Sequence, residues 1–112
     1  MNQASITETV LKNASSKKRD AIEMEWMRYM TAHLNFPFEA EVRLYDYSTV
    51  LADGDIVKIV GLDDIIDQYG MIMKIKKGRK TLFCPLAELT VRDEESENFR
   101  IINAYEEWEA NN

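Results

Sequence analysis

The spacing of apolar residues changes along the chain, and each change marks an element. From Lys17 to Asn35 the residues Ile22, Trp26, Tyr29, Met30, His33 and Leu34 recur at i, i+4, i+7, i+8, i+11 and i+12. That is one stripe of a helix, which Ser15-Ser16 can cap. The helix must stop at Phe36-Pro37-Phe38, because proline lacks an N–H and pushes the residue before it into extended backbone. The period then becomes two. Phe38, Ala40, Val42 and Leu44 alternate with Glu39, Glu41, Arg43 and Tyr45, which predicts a half-buried strand from Phe38 to Tyr47.

Four more strands follow by the same criteria. They are the β-branched run Ile56–Val60, then Met71–Lys76 after the expected loop GLDDIIDQYG, Lys80–Cys84 after a turn at Lys77-Gly78-Arg79, and Thr90-Val91-Arg92. CPLAEL, from Cys84 to Leu89, has the look of a single 3₁₀ turn. Five short strands within about 55 residues, joined mostly by tight turns, predict a small meandering barrel. The GD before an apolar strand and the PLAEL turn before the last one resemble SH3-like barrels. A closing helix can be capped by Asp93 or Ser96, with Phe99, Ile101, Ile102, Tyr105 and Trp108 on its apolar side.

The expected fold is therefore α+β: an SH3-like five-stranded β-barrel flanked by an N-terminal and a C-terminal helix. Both tryptophans lie on those helices, where they are expected to plug the barrel ends. Residues 1–16 have few apolar anchors and are expected to be poorly ordered, leaving 17–112 as a single domain.

Composition narrows the function classes. At 112 residues, 46% apolar and 30% charged, the chain is an ordinary globular domain with one modest core. No apolar run approaches the roughly 18 residues of a membrane helix. The first residues, MNQASITETVLKN, contain no apolar region after basic residues, so no secretory signal is expected. Cys84 is the sole cysteine, which excludes an internal disulfide and a multi-cysteine zinc site. That cysteine usage leads to the expectation of a cytoplasmic location, in a reducing cytoplasm. Twenty acids against 14 bases leave a net charge of −6. That balance argues against nucleic acid or an anionic membrane as partner, and it suits a cationic one, a metal ion included.

Enzyme constellations are missing. There is no G-x-S-x-G, no phosphate-cradling glycine loop and no H-E-x-x-H. Cys84 stands beside Pro85, remote in sequence from His33, and reads as a structural cysteine; His33, without partners, reads as a core or hinge residue. No enzyme is expected. Lys74, Lys76, Lys77, Arg79 and Lys80 put five of the 14 cations into seven residues. With no exposed aromatics expected between them to stack on bases, they read as a solvated hairpin that protects a sheet edge.

The acids group as Asp53 with Asp55, Asp63 and Asp64 with Asp67, and Asp93 to Glu97. Calcium takes six to eight oxygen ligands, so several carboxylates must converge on one point. The first two groups flank one strand, roughly 20 Å apart at about 3.3 Å per residue, and cannot share an ion. If the first two strands pair antiparallel, Glu39 and Glu41 come near Asp63, Asp64 and Asp67. Those five carboxylates are the candidate metal site. The EF-hand pattern is not met, so such a site would be assembled from separate segments. The alternative reading of the same residues is a solvated acidic surface.

Several short pieces also carry a family resemblance. Glu25-Trp26, Tyr29, Leu34, Phe36-Pro37-Phe38 followed by Ala40, Pro85-Leu86, and Ile101-Ile102-Asn103 with Trp108 occur in an order that resembles the small acidic calcium-binding protein family of heterocyst-forming cyanobacteria. The resemblance spans roughly residues 20 to 108. It implies a compact barrel flanked by helices, no catalysis, and Ca²⁺ binding through surface carboxylates. The chain departs from the family where Lys17-Lys18-Arg19 replaces an acidic run before the first tryptophan, and where Ala104 stands in place of a frequent acid. The ligand set above comes from strand placement and not from the family.

The expected function is thus a non-catalytic calcium-binding protein, regulatory or buffering, with a protein partner in addition to the ion. The alternative is a metal-independent protein-interaction module on an SH3-like barrel. RLYDY followed by GD resembles peptide-binding SH3 domains, although the tryptophan they use to grip proline-rich ligands is missing after the second strand.

Overall fold

The computed structural model describes residues 2–43, 51–66 and 69–112. They gather into two compact units: a helical one, up to Leu34 and again from Glu94 to Asn112, and a sheet unit, Asn35–Asp93.

The helical unit holds α1 (Gln3–Asn13), α2 (Arg19–His33) and α3 (Glu97–Ala110). Helix α1 occupies residues for which the sequence predicts little order. Its anchors are Ile6 and Val10, one turn apart on one face and both fully buried. The Asn2 side chain caps its start, accepting from the Ser5 N–H at 2.8 Å. Two anchors are too few for a visible stripe, yet α1 packs on both α2 and α3. On α2 the expected stripe buries Trp26, Tyr29 and Met30. Of the two readings of His33, core or hinge, the core one does not hold: it is exposed in the last turn of α2, ahead of Pro37, its ring 4.2 Å from that of Tyr29. On α3 the cap is Ser96, which accepts from the Phe99 N–H at 3.1 Å.

The tryptophans, expected to plug a barrel, pack with one another. Trp26 meets Tyr105 edge-on at 5.5 Å and lies 6.1 Å from Trp108. Flat apolar rings gain more by this mutual burial, with edge-to-face geometry, than by separate placement. Arg19 covers Trp108 at 5.0 Å from the ring centroid, a cation–π contact.

Helix α2 ends as the proline requires. Leu34 is extended, the Phe36–Pro37 bond is cis, and strand begins at Phe38. The sheet unit contains β1 (Phe38–Val42), β2 (Ile56–Ile66), β3 (Gly70–Lys77), β4 (Lys80–Pro85), a 3₁₀ turn (Leu86–Glu88) and β5 (Leu89–Val91). All pairings are antiparallel, in the order β4-β3-β2-β1-β5. Among the described residues β4 and β5 remain the two edges, so the sheet is open where the sequence predicts a closed barrel. The end of the first predicted strand, Leu44–Tyr47, lies outside the described residues.

The alternation predicted for β1 stands in its described part, and β2 alternates up to Ile59, whereas β3 also buries Ile72 between Met71 and Met73. Ala40 and Val42, Val57 and Ile59, and Met71, Met73 and Ile75 are buried. Strand β2 is the exception to the sequence reading, because it continues to Ile66 through most of the expected loop. Two bulges hide it from a period-two test. Val60 and Asp63 are each an extra residue on β2, lying between the pairs Ile59↔Ile75 and Gly61↔Lys74 and between Leu62↔Met73 and Asp64↔Ile72. The β3–β4 turn is tight, with Gly78 at φ +61°, as a two-residue hairpin loop demands.

Candidate functional site

The register of β1 on β2 decides the fate of the five candidate carboxylates. Glu39 lies opposite Lys58 and Glu41 opposite Ile56. Asp63 is five residues beyond Lys58 and seven beyond Ile56, roughly 16 and 23 Å along the strand at about 3.3 Å per residue. Glu39 and Glu41 are therefore not brought beside Asp63 and Asp64. Antiparallel pairing would have joined them had the strands been equal in length. Strand β2 has 11 residues against five in β1, and it overshoots the start of β1, paired at Ile59, by more than half its length.

The two glutamates have nearer partners. Glu39 forms an ion pair with Arg92 at 3.6 Å, and Glu41 one with Arg43. Asp63 and Asp64 are both exposed near the end of β2, Asp63 on the bulge, and Asp64 Oδ1 accepts from the Ile65 N–H at 2.8 Å. Asp67, the fifth candidate, lies outside the described residues. The carboxylates at the β2–β3 hairpin have the hard oxygen donors that calcium prefers. Among the described residues, however, no three acidic, histidine or cysteine side chains converge as a metal would need.

The other acidic groups are held differently. Asp55 Oδ2 accepts from Lys77 Nζ at 2.7 Å and from the Ala52 N–H at 2.9 Å. The lysine hydrogen bond first, then that of Ala52, holds its carboxyl below the usual carboxylate range. Glu97 pairs with Arg100 at 3.2 Å in the first turn of α3. One concentration escapes the sequence reading: Glu106, Glu107 and Glu109 crowd the C-terminal turns of α3, where the helix dipole already disfavours negative charge. Burial, and then the charge of Glu109, push the Glu106 carboxyl up to about 7. The signal in the sequence was EEWE on an otherwise apolar stripe, and it is easily taken for the solvated side of the helix.

Cys84 is buried, as expected of a structural cysteine. Burial first, then the adjacent Glu88, push its thiol up to about 12, and the thiol donates to Glu88 Oε2 at 3.7 Å. A nucleophilic cysteine needs the opposite surroundings, which favour the thiolate. No helix among the described residues is long and apolar enough to cross a membrane.

Residues 5–109 match the CcbP calcium-binding family, and the chain belongs to that family. Its fold is similar to that of the crystal structure of Anabaena CcbP. The TM-score is 0.74 at 15% identity, over 96% of this chain and 90% of that one. A structure described as a calcium-binding protein in its calcium-binding form gives 0.72 at 16%, with the same coverage. At these identities the likeness is one of fold: three helices and an open antiparallel five-stranded sheet. No curated protein matches the sequence.

Proposed function

We propose that this chain is a non-catalytic calcium-binding protein that takes Ca²⁺ through surface carboxylates. Membership of the calcium-binding family over residues 5–109 is the observation that carries this reading. The net charge of −6 is consistent with it, since acids crowded on a small surface repel one another and a divalent ion relieves the repulsion. The first candidates as ligands are Asp63, Asp64 and Asp67 of the β2–β3 hairpin. Glu39 and Glu41, engaged by arginines on another part of the sheet, would act apart from them. With so few protein ligands in reach, water completes the shell and affinity is weak, on the order of 10⁻⁵ to 10⁻³ M. The SH3-like description of the sheet belongs to the same proposal, and it rests on the meander of β1 to β4 and the return of β5 to pair with β1 after a 3₁₀ turn. So does a cytoplasmic location.

Calorimetric titration with Ca²⁺ and Mg²⁺, with backbone amide shifts followed in parallel, tests the reading. Calcium should bind and raise the melting temperature, because a ligand of the native state adds RT ln(1 + [L]/Kd) to stability. Magnesium should do less, as it dehydrates reluctantly and demands octahedral geometry. Changing Asp63, Asp64 and Asp67 to Asn should abolish the response in a protein that stays folded. Retention of the response would move the site elsewhere, with Asp93 to Glu97 next in line. No response at millimolar calcium would refute calcium binding.

A further inference from the structure

One face of the sheet is basic on an acidic protein. Lys58 on β2 lies directly opposite Lys76 on β3, and Lys74 stands two residues along β3 on the same face. All three are exposed, and among the described residues they enter no ion pair. Like charges directly opposite one another weaken a sheet. Glu39, across from Lys58, forms its ion pair with Arg92, so no carboxylate is in direct contact with either lysine among the described residues. The sequence predicts no exposed aromatic among these cations, but Phe83 on β4 is 57% exposed and lies directly opposite Lys74. Ile56, two residues from Lys58 on the same face, is 41% exposed. A groove of about 330 Å³ runs over the ladder, lined by Glu39, Ile56, Lys58, Lys76 and Gly78.

We propose that this face docks an acidic segment of a protein partner in extended conformation, its alternate carboxylates on Lys58, Lys74 and Lys76 and an apolar side chain against Phe83. The spacing is right for an extended peptide. Lys74 and Lys76 are about 6.6 Å apart along β3, the same interval at which alternate side chains of a second strand recur. The chemistry also favours carboxylates over a nucleic acid. Single-strand binders stack successive bases on several aromatics along a basic groove, and here, among the described residues, one ring is exposed beside three lysines. Lysine meets a carboxylate as a point charge, and a lone phenyl ring suffices as anchor for one apolar residue. The segment would neutralise a cross-strand repulsion between lysines that no ion pair among the described residues engages. This site is independent of the calcium site, so either can fail alone.

The probe is a fluorescein-labelled synthetic peptide with glutamates at alternate positions and one central leucine, titrated with the full chain and followed by anisotropy. A peptide with lysine in place of glutamate, and oligothymidylate, are titrated alongside. Saturable binding of the acidic peptide is expected, weakening as salt is added, with amide shifts at Lys58, Lys74, Lys76 and Phe83. The exposed double substitution K58Q/K76Q should weaken it about tenfold or more, and F83A severalfold, with circular dichroism unchanged. With no peptide bound, K58Q/K76Q should melt at a higher temperature than the wild type. Absence of saturation up to about 1 mM peptide, a complex weaker than any specific interface, would overturn the proposal. So would shifts confined to another face, or affinity unchanged in K58Q/K76Q. Tighter binding of oligothymidylate through the same lysines would replace the peptide with nucleic acid, and would also overturn it.

Discussion

The ammonium group of Lys77 lies 2.7 Å from Asp55 Oδ2, joining the end of β3 to the turn that precedes β2. This pair takes one acid out of the set available to a metal ion and ties down the base of the β2–β3 hairpin. It also makes stability depend on pH in a definite direction. The folded-state pKa of Asp55 is lowered, so the pair stabilises the protein above the ordinary aspartate range. That contribution is lost as pH falls through the folded value. The stability gap between wild type and Asp55→Asn, measured by urea unfolding, should be largest near neutrality and close on acidification. A gap that widens in acid would contradict the assignment.

Glu106 should behave in the opposite sense. Its folded pKa is raised to about 7, so the folded state keeps a proton that the unfolded chain releases at lower pH. Stability should therefore fall as pH rises from the ordinary glutamate range through about 7, then level off. Glu106→Gln should remove that part of the pH dependence and melt higher than the wild type at pH above about 7. Thermal melts across that range are the measurement.

Helix α1 gives a direct contrast between local pattern and packing. With Ile6 fully buried, Ile6→Ala should cost about 2–5 kcal/mol by urea unfolding. A loss near zero would mean that the first helix adds nothing to the core.

Trp26 is fully buried, and its indole N–H has no hydrogen-bond partner among the described residues. Trp26→Ala should cost about 3–5 kcal/mol. Trp26→Phe should cost much less than its lost volume suggests, because it also removes a buried unpaired donor. Chemical unfolding of the two variants decides it. Equal losses would show that the N–H has a partner after all.

Phe38 is half-buried, its ring 5.7 Å from that of Phe36 on the other side of the cis proline. Phe38→Ala should cost about 1–2 kcal/mol, less than a fully buried ring would, and the same denaturation series provides the check.

The kinds of element along this chain were legible from local periodicity. The 3.6-residue stripe of α2 and α3, the alternation of β1 and the stop at Pro37 depend only on neighbours in sequence, and all three stand in the fold. The order of short motifs was enough to place the chain in its family. The length of β2 was not legible, because bulges at Val60 and Asp63 shift the alternation and their place is set by pairing with β3. The fate of the candidate carboxylates followed from that length. An antiparallel pair leaves register undetermined until both strand ends are known, and a β2 twice as long as β1 carried Asp63 and Asp64 past Glu39 and Glu41. Helix α1 was equally hidden, since two anchors acquire their meaning only against the helices that bury them. The facing lysines of β2 and β3 are likewise a product of register: Lys58 and Lys76 are 18 residues apart in the chain, and only the folded sheet sets them opposite each other.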